Sequence, residues 1–325
     1  MKHLKYGLFV LLIALLVIIP ASAVSVGTGV NIQSGGGSIP VVTAKWERDT
    51  TTSLEDGDPT HAVAGAQFLP PCAYNGKKPL EYFLVASDEE DNGNVKIAFA
   101  DVYHPDGTFK YQVNFIKQSQ SVGITEFNAA VTAGLVKFNT GQTAASVLEA
   151  LQKGTVAVWR GDANLDYCQM DGDYTVIVQV GDTNDNYSPA LTNTFLYVPV
   201  ACGEFDFTDF NYGSVSIGKT TWRAGDIVFG TADKPTVRNI GNTKIQIKIN
   251  QSDMGFGQDV DKNWMVNFDA RLGNTGAEPV YMPYEQVTLS DILDRSHTEE
   301  LDFSIHVLKG LGTHSGDMTL GVVKA

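Results

Sequence analysis

Two acidic loops hold the residues most able to do chemistry. Residues 87–94 read SDEEDNGN and pack Asp88, Glu89, Glu90 and Asp91 into one stretch; residues 181–186 read GDTNDN and offer Asp182, Asn184, Asp185 and Asn186. Hard cations such as Ca²⁺ take about six to eight oxygens from carboxylates, amide carbonyls and backbone. Two such loops facing each other would supply them. The expected metal ligands are therefore Asp88, Glu89, Asp91, Asp182, Asn184 and Asp185, with Ca²⁺ as the expected cofactor. The competing explanation is that Asp, Asn and Gly fill loops because they make turns.

Other constellations are weaker. Residues 182–189, DTNDNYSP, resemble the DxNDNxP calcium linker of cadherins, with one residue too many before Pro189. Residues 160–166, RGDANLD, open like an EF-hand loop, but no glycine follows Asp166 and Asp173 stands where the closing Glu belongs. Glu89 and Asp182 are the one carboxylate pair offered for acid–base work. There is no GxSxG or HExxH, and the histidines are scattered. A non-catalytic role is expected. Trp46, Tyr74, Trp159 and Trp222 are candidates for stacking on sugar rings, against core packing as the ordinary use of such rings.

Three cysteines allow one internal bridge and leave one thiol. Cys72 precedes the strand at 81–87 and Cys168 the strand at 173–181, the second and sixth when the extended lead-in is counted as the first. In an immunoglobulin-like sandwich the loops into those strands share one end. The expected disulfide is Cys72–Cys168, with Cys202 the competitor at that same end. Asn186-Tyr187-Ser188 and Asn250-Gln251-Ser252 are glycosylation acceptors in an exported chain.

Export is read from the N-terminus. Lys2 and Lys5 precede an uncharged apolar run from Gly7 to Ile19, Pro20 breaks it, and Ala21-Ser22-Ala23 supplies small residues for cleavage after Ala23. A retained N-terminal anchor is the alternative. No second run of spanning length follows, so no membrane span is expected in the mature chain. The whole chain carries 23 basic and 37 acidic residues; losing Lys2 and Lys5 leaves 21 against 37, a net charge of −16. Such a surface repels nucleic acid, which is excluded as a partner.

These residues must be positioned by strands. Residues 24–44 are Gly/Ser-rich and read as a flexible leader, and residues 45–60 as an extended lead-in. Residues 81–87, 94–104, 108–116, 155–161, 173–181 and 191–200 read as strands, and 125–135 and 144–154 as helices, the second closed by Gly154. Residues 199–204 read as a hinge. Beyond it, strands are expected at 205–218, 226–231, 234–250, 264–272, 285–289 and 301–310, with an edge strand at 319–323. The fold class is all-β. The expected organisation is a signal peptide (1–23), the leader (24–44), an immunoglobulin-like sandwich (45–200) with a short helical insertion, and a second β-sandwich (204–325).

Residues 236–249, TVRNIGNTKIQIKI, resemble the strand–NxGN–strand signature of secreted β-sandwich modules, with Asn239-x-Gly241-Asn242 as the turn. Residues 76–113, 191–200, 205–215 and 299–310 are similar to a family of secreted archaeal surface proteins built of two immunoglobulin-like sandwiches. That resemblance implies an extracellular or cell-surface location and a surface role, and it brings no catalytic residues. The expected function is a surface, matrix or adhesion protein, stabilised by calcium. Its expected partners are other surface proteins, itself or polysaccharide. The alternative is a carbohydrate- or ligand-binding module, and the outsider is a secreted hydrolase.

Overall fold

A computed structural model of the chain describes residues 39–49, 66–87, 95–273 and 280–325. In its first half, β1 (Val41–Asp49), β3 (Lys77–Ser87) and β8 (Ala157–Asp166) form the middle of one sheet. Short strands β6 (Ile116–Lys117) and β7 (Lys137–Phe138) close its edges, in the order β6-β8-β3-β1-β7. The facing sheet runs β2-β10-β9-β4-β5. Its strands are β2 (Gln67–Phe68), β4 (Val95–Tyr103), β5 (Phe109–Asn114), β9 (Gly172–Asp182) and β10 (Leu191–Tyr197). Side chains from both sheets, among them Leu80, Tyr82, Leu84, Val102, Val176, Val178 and Phe195, share one core.

Two helices cover the outer face of the first sheet. Helix α1 (Gln120–Thr132) lies close on β8: a side chain at Gly123 would put its Cβ 2.9 Å from that of Val158. Helix α2 (Ala144–Lys153) starts in a capping box between Thr143 and Ser146 and stops at Gly154, whose φ of 73° is the left-handed region glycine tolerates. Phe127, Ala130, Val147 and Leu151 pack on Ala44, Trp46, Phe83, Val85 and Val158. The first sheet is therefore buried on both faces, and β3 reads as a continuous apolar run rather than an alternation.

This corrects the reading of residues 41–49. They are not leader or lead-in but a strand, paired with β3 from Val41↔Ser87 to Asp49↔Leu80. Its outward side chains, Ala44 and Trp46, enter the helix-side core, where Trp46 stacks on Phe83 at 4.9 Å. Its inward side chains include Lys45 and Glu47, both fully buried. Lys45 Nζ lies 2.7 Å from Glu47 and donates to the Val176 carbonyl at 3.0 Å and to Asn193. Asn193 closes the ring by donating to Glu47 at 2.6 Å. Burial lowers the Lys45 pKa, and Glu47 opposes that shift.

The second half sets five strands against three. One layer is β11 (Gly203–Phe205), β13 (Thr236–Asn239), β17 (Thr298–Val307) and β12 (Thr220–Arg223), with β15 (Val266–Leu272) also on β17. The other is β16 (Val287–Thr288), β14 (Ile245–Gln251) and β18 (Met318–Lys324). Ile245, Ile247 and Ile249 of β14 meet Phe268, Leu301, Phe303 and Ile305 in a second core. Residues 205–218 and 226–231 were expected as strands; of these only Phe205 pairs, at the end of β11, and β12 falls between the two ranges. The rings of Phe207, Phe210 and Tyr212 explain this, because they fold inward edge-to-face around Phe303 rather than alternating. The NxGN turn also differs from expectation: β13 and β14 lie in different sheets, so the turn is a corner between layers and not a hairpin.

The buried ion pair predicts an asymmetry. Lys45→Ala leaves Glu47 buried without its cation and is expected to cost about 3–5 kcal/mol in urea unfolding. Replacing the pair together, Lys45→Met with Glu47→Leu, is expected to cost far less. Equal losses in the two variants would refute the pairing.

Candidate functional site

Strands β4 and β9 pair Val95 with Asp182, so the chain leaving residues 88–94 arrives beside the second loop. Asp88, Glu89 and Asp91 lie outside the described residues. Within the second loop, Asp182 is buried and works as the organiser of a turn. Its Oδ1 accepts from the N–H groups of Asn184 and Asn186, each at 2.8 Å, and its Oδ2 from the Asn186 side chain at 2.9 Å. Asn184 and Asp185 are exposed, and Asp185 approaches Lys96 at 3.6 Å. Burial works against the Asp182 charge, but the hydrogen bonds from Asn186 and Asn184 outweigh it and hold the carboxyl below its usual pKa. Among the described residues, no three His, Cys, Asp or Glu side chains converge as a metal site.

Both glycosylation acceptors are engaged. The Asn186 amide bonds Asp182, its sequon partner Ser188 is buried and accepts from the Val180 N–H, and the Asn250 amide donates to the Tyr284 carbonyl.

The RGDANLD segment is strand β8 rather than a loop. Its Arg160 is an ion-pair partner of Glu81 at 2.6 Å, and Arg48 bonds the same carboxylate at 2.7 Å from the other side. Of the four aromatics offered for sugar stacking, Trp46 and Trp159 are core residues. The other two each have a face covered by a guanidinium at 3.8 Å, Arg271 over Trp222 and Arg238 over Tyr74.

The opposite end of the first half is a built junction. The disulfide joins Cys72 to Cys202, with Cα atoms 5.9 Å apart, and Cys168 is the free thiol. The expected Cys72–Cys168 bridge is thus replaced by its competitor. The cause is the pairing of β2 with β10, which is parallel: Gln67↔Leu196 and Phe68↔Tyr197 send the two chains onward in step, toward Cys72 and Cys202. Residues 198–204 are no hinge. Asn242 donates from its side chain to the Val198 carbonyl at 3.0 Å and accepts from the Val200 N–H at 2.6 Å. Its own N–H reaches the Val200 carbonyl at 3.1 Å, and the Ile240 N–H reaches Cys202 at 3.0 Å. At Gly241 a side chain would place Cβ 2.3 Å from the Val200 carbonyl oxygen, which is why glycine stands there. Arg238 completes the junction between Tyr74 and Phe229, paired with Glu204 at 2.7 Å. Sequence reasoning missed Asn242 and Arg238; the signal was the NxGN motif, read there as a turn.

Two clefts adjoin this region. The smaller, about 270 Å³, is lined by His104, Asp106, Thr108, Cys168, Gln169, Met170 and Arg295. Burial, with Lys110 and Arg295, holds the His104 pKa down, and its Nδ1 meets the Tyr174 hydroxyl at 3.2 Å rather than the thiol. The larger, about 600 Å³, holds Asp206, Asp209, Arg223 and Lys234. Asp206 is committed to the N–H groups of Gly230 and Thr236.

No protein-family model matches the sequence, and no curated protein matches it. Among solved structures, the chain is similar to the C-terminal domain of the AgI/II polypeptide BspA of Streptococcus agalactiae. The identity is 10% over 88% of this chain and 96% of that one, with a TM-score of 0.22. It is also similar to a chaperone–tip adhesin complex of CFA/I fimbriae biogenesis, at 7% identity over 90% and 92% of the two chains, TM-score 0.25. A third is a Salmonella alpha-2-macroglobulin, at 10% identity over 82% of this chain and 16% of that one, TM-score 0.22. Scores of this size carry no argument about function, and they lend no support to an archaeal origin.

Two measurements check the site. Peptide mapping without reduction is expected to find Cys72 linked to Cys202 and Cys168 free; a Cys72–Cys168 peptide would refute the junction. Asp182→Ala is expected to cost about 1–2 kcal/mol even without metal, because it frees the N–H groups of the turn. A folded pKa below the unfolded one contributes stability that is complete above the unfolded value of about 3.9 and disappears as pH falls through the folded value. The variant should therefore be less stable at pH 7 and lose less than the parent on acidification below about pH 4.

Proposed function

We propose that this chain is a non-catalytic component of an extracellular surface or matrix, acting by binding other macromolecules or its own copies. The observation that carries the reading is the junction. A disulfide between residues 130 apart, set among the Asn242 bonds and the Arg238 stack, holds two β-sandwich halves in one arrangement. Disulfides persist in oxidising compartments, in keeping with the export signal. A locked joint suits a part that transmits position or load, whereas a bilobed enzyme that closes on substrate needs a hinge at that place. Among the described residues no helix is long and apolar enough to cross a membrane. A calcium ion at the acidic loops is the finer part of this proposal. Its clean test is Asp88→Ala, which should abolish any melting shift specific to Ca²⁺ over Mg²⁺.

Protease treatment of intact cells tests the location. The chain is expected to be trimmed without lysis and to run on a non-reducing gel as the oxidised form. Recovery only after lysis, with all three cysteines reduced, would overturn the reading. The disulfide itself is expected to contribute about 2–5 kcal/mol, read as the loss on replacing Cys72 and Cys202 together by Ser.

A further inference from the structure

The second sandwich is short of strands on one side, and the sequence holds a segment suited to add one. Its smaller sheet has β16, β14 and β18 against five strands opposite. Strand β18 pairs with β14 along its whole length, from Ile245↔Lys324 to Gln251↔Met318, and with no other strand among the described residues. The Ala325 N–H bonds Lys244, and the Ser252 N–H bonds Asp317, which fixes the alternation of the ladder. Residues 319, 321 and 323 bond inward to β14, and the backbone groups of Leu320 and Val322 face the open edge. Met318, Leu320 and Val322 are core residues left only half-buried. Between Met318 and Val323 the edge carries no charge and no proline, the usual guards of an exposed strand.

Resting on the surface-assembly reading above, we propose that residues 24–33 of a second copy add to this edge as a further β-strand. The segment reads VSVGTGVNIQ. Val24, Val26, Thr28, Val30 and Ile32 fall on one face, and Ser25, Gly27, Gly29, Asn31 and Gln33 on the other, the period of a strand with one face on a core. It is uncharged, as the edge is. Its apolar face extends the core next to Leu320 and Val322, and its backbone satisfies the groups that β18 leaves open.

The donor belongs to another molecule because its own cannot reach. Residues 34–40 are the only tether between Gln33 and Val41, a span of about 28 Å when fully stretched. Val41 stands level with Ser87, at the far end of β3 from the junction. The 11 residues of β3 cover roughly 33 Å to that junction. The nearest end of β18 begins only there, where Lys324 meets Asp171 at 3.4 Å. Val41, where the donor's tether joins the body, and the acceptor edge thus lie at different ends of the described residues. Such a head-to-tail contact is heterologous and, where its rotation does not close a ring, propagates into a filament.

The test uses the exported chain starting at Val24, a chain starting at Ser34, and a synthetic peptide of residues 24–33. The first is expected to form filaments seen by electron microscopy and sedimentation, the second to stay monomeric. The peptide should bind the second one-to-one and slow amide exchange at Leu320 and Val322. A Val26→Lys/Val30→Lys peptide should bind at least tenfold more weakly. Filaments from the chain starting at Ser34 would sink strand donation and leave the surface-assembly reading standing. Peptide protection at a different edge, such as β5, would overturn the acceptor. A chain starting at Val24 that stays monomeric at every concentration would overturn this inference; absence from the cell surface would overturn the reading beneath it.

Discussion

Asn242 fixes the relation between the halves of this molecule. A fully buried amide that both donates to and accepts from the chain leaving β10 leaves that chain no freedom to swivel. Water cannot replace those bonds in a buried corner without the cost of unpaired polar groups. The absence of a side chain at Gly241 lets the two backbones meet, and the disulfide at Cys202 acts on a segment already held. The junction is therefore polar and directional, and specifies one arrangement where apolar packing alone would accept several.

The same logic runs through β1. A strand covered by helices on one side and by a second sheet on the other has no solvent face, yet it carries Lys45 and Glu47 inward. Their charges persist only because Asn193 and the Val176 carbonyl complete the ring. Such a ring fixes the register of β1 against β9 and β10, since a one-residue slip would turn both charges into the helix-side apolar layer.

Strand positions in the first half were largely legible, because β4, β5 and β9 alternate and β3 carries the apolar run from Tyr82 to Ala86. Residues 41–49 were not. KWERD looks like a solvated segment, and only partners distant in sequence, Lys78 for Asp49, Glu81 for Arg48, Val176 and Asn193 for Lys45, show its charges to be satisfied. The disulfide escaped for a related reason. Setting the loops into two strands of an immunoglobulin-like sandwich at one end placed Cys168 beside Cys72, whereas the two-residue parallel pairing of β2 with β10 is too short to leave a pattern. The acidic loops announced themselves by composition, but composition could not distinguish a carboxylate awaiting a cation from one, like Asp182, already accepting three hydrogen bonds.

Charge decides how such chains can associate. With 37 acidic residues against 23 basic in the whole sequence, like-charged faces repel and unspecific side-by-side clustering is disfavoured. The edge of β18 and the segment 24–33 are both free of charge until Lys324, so a strand added there meets none of that repulsion. Its binding would come from backbone hydrogen bonds and burial of valine and isoleucine, which salt barely weakens, while salt screens the repulsion between the bodies. An acidic exterior with an uncharged edge thus favours growth end to end over collapse into aggregates.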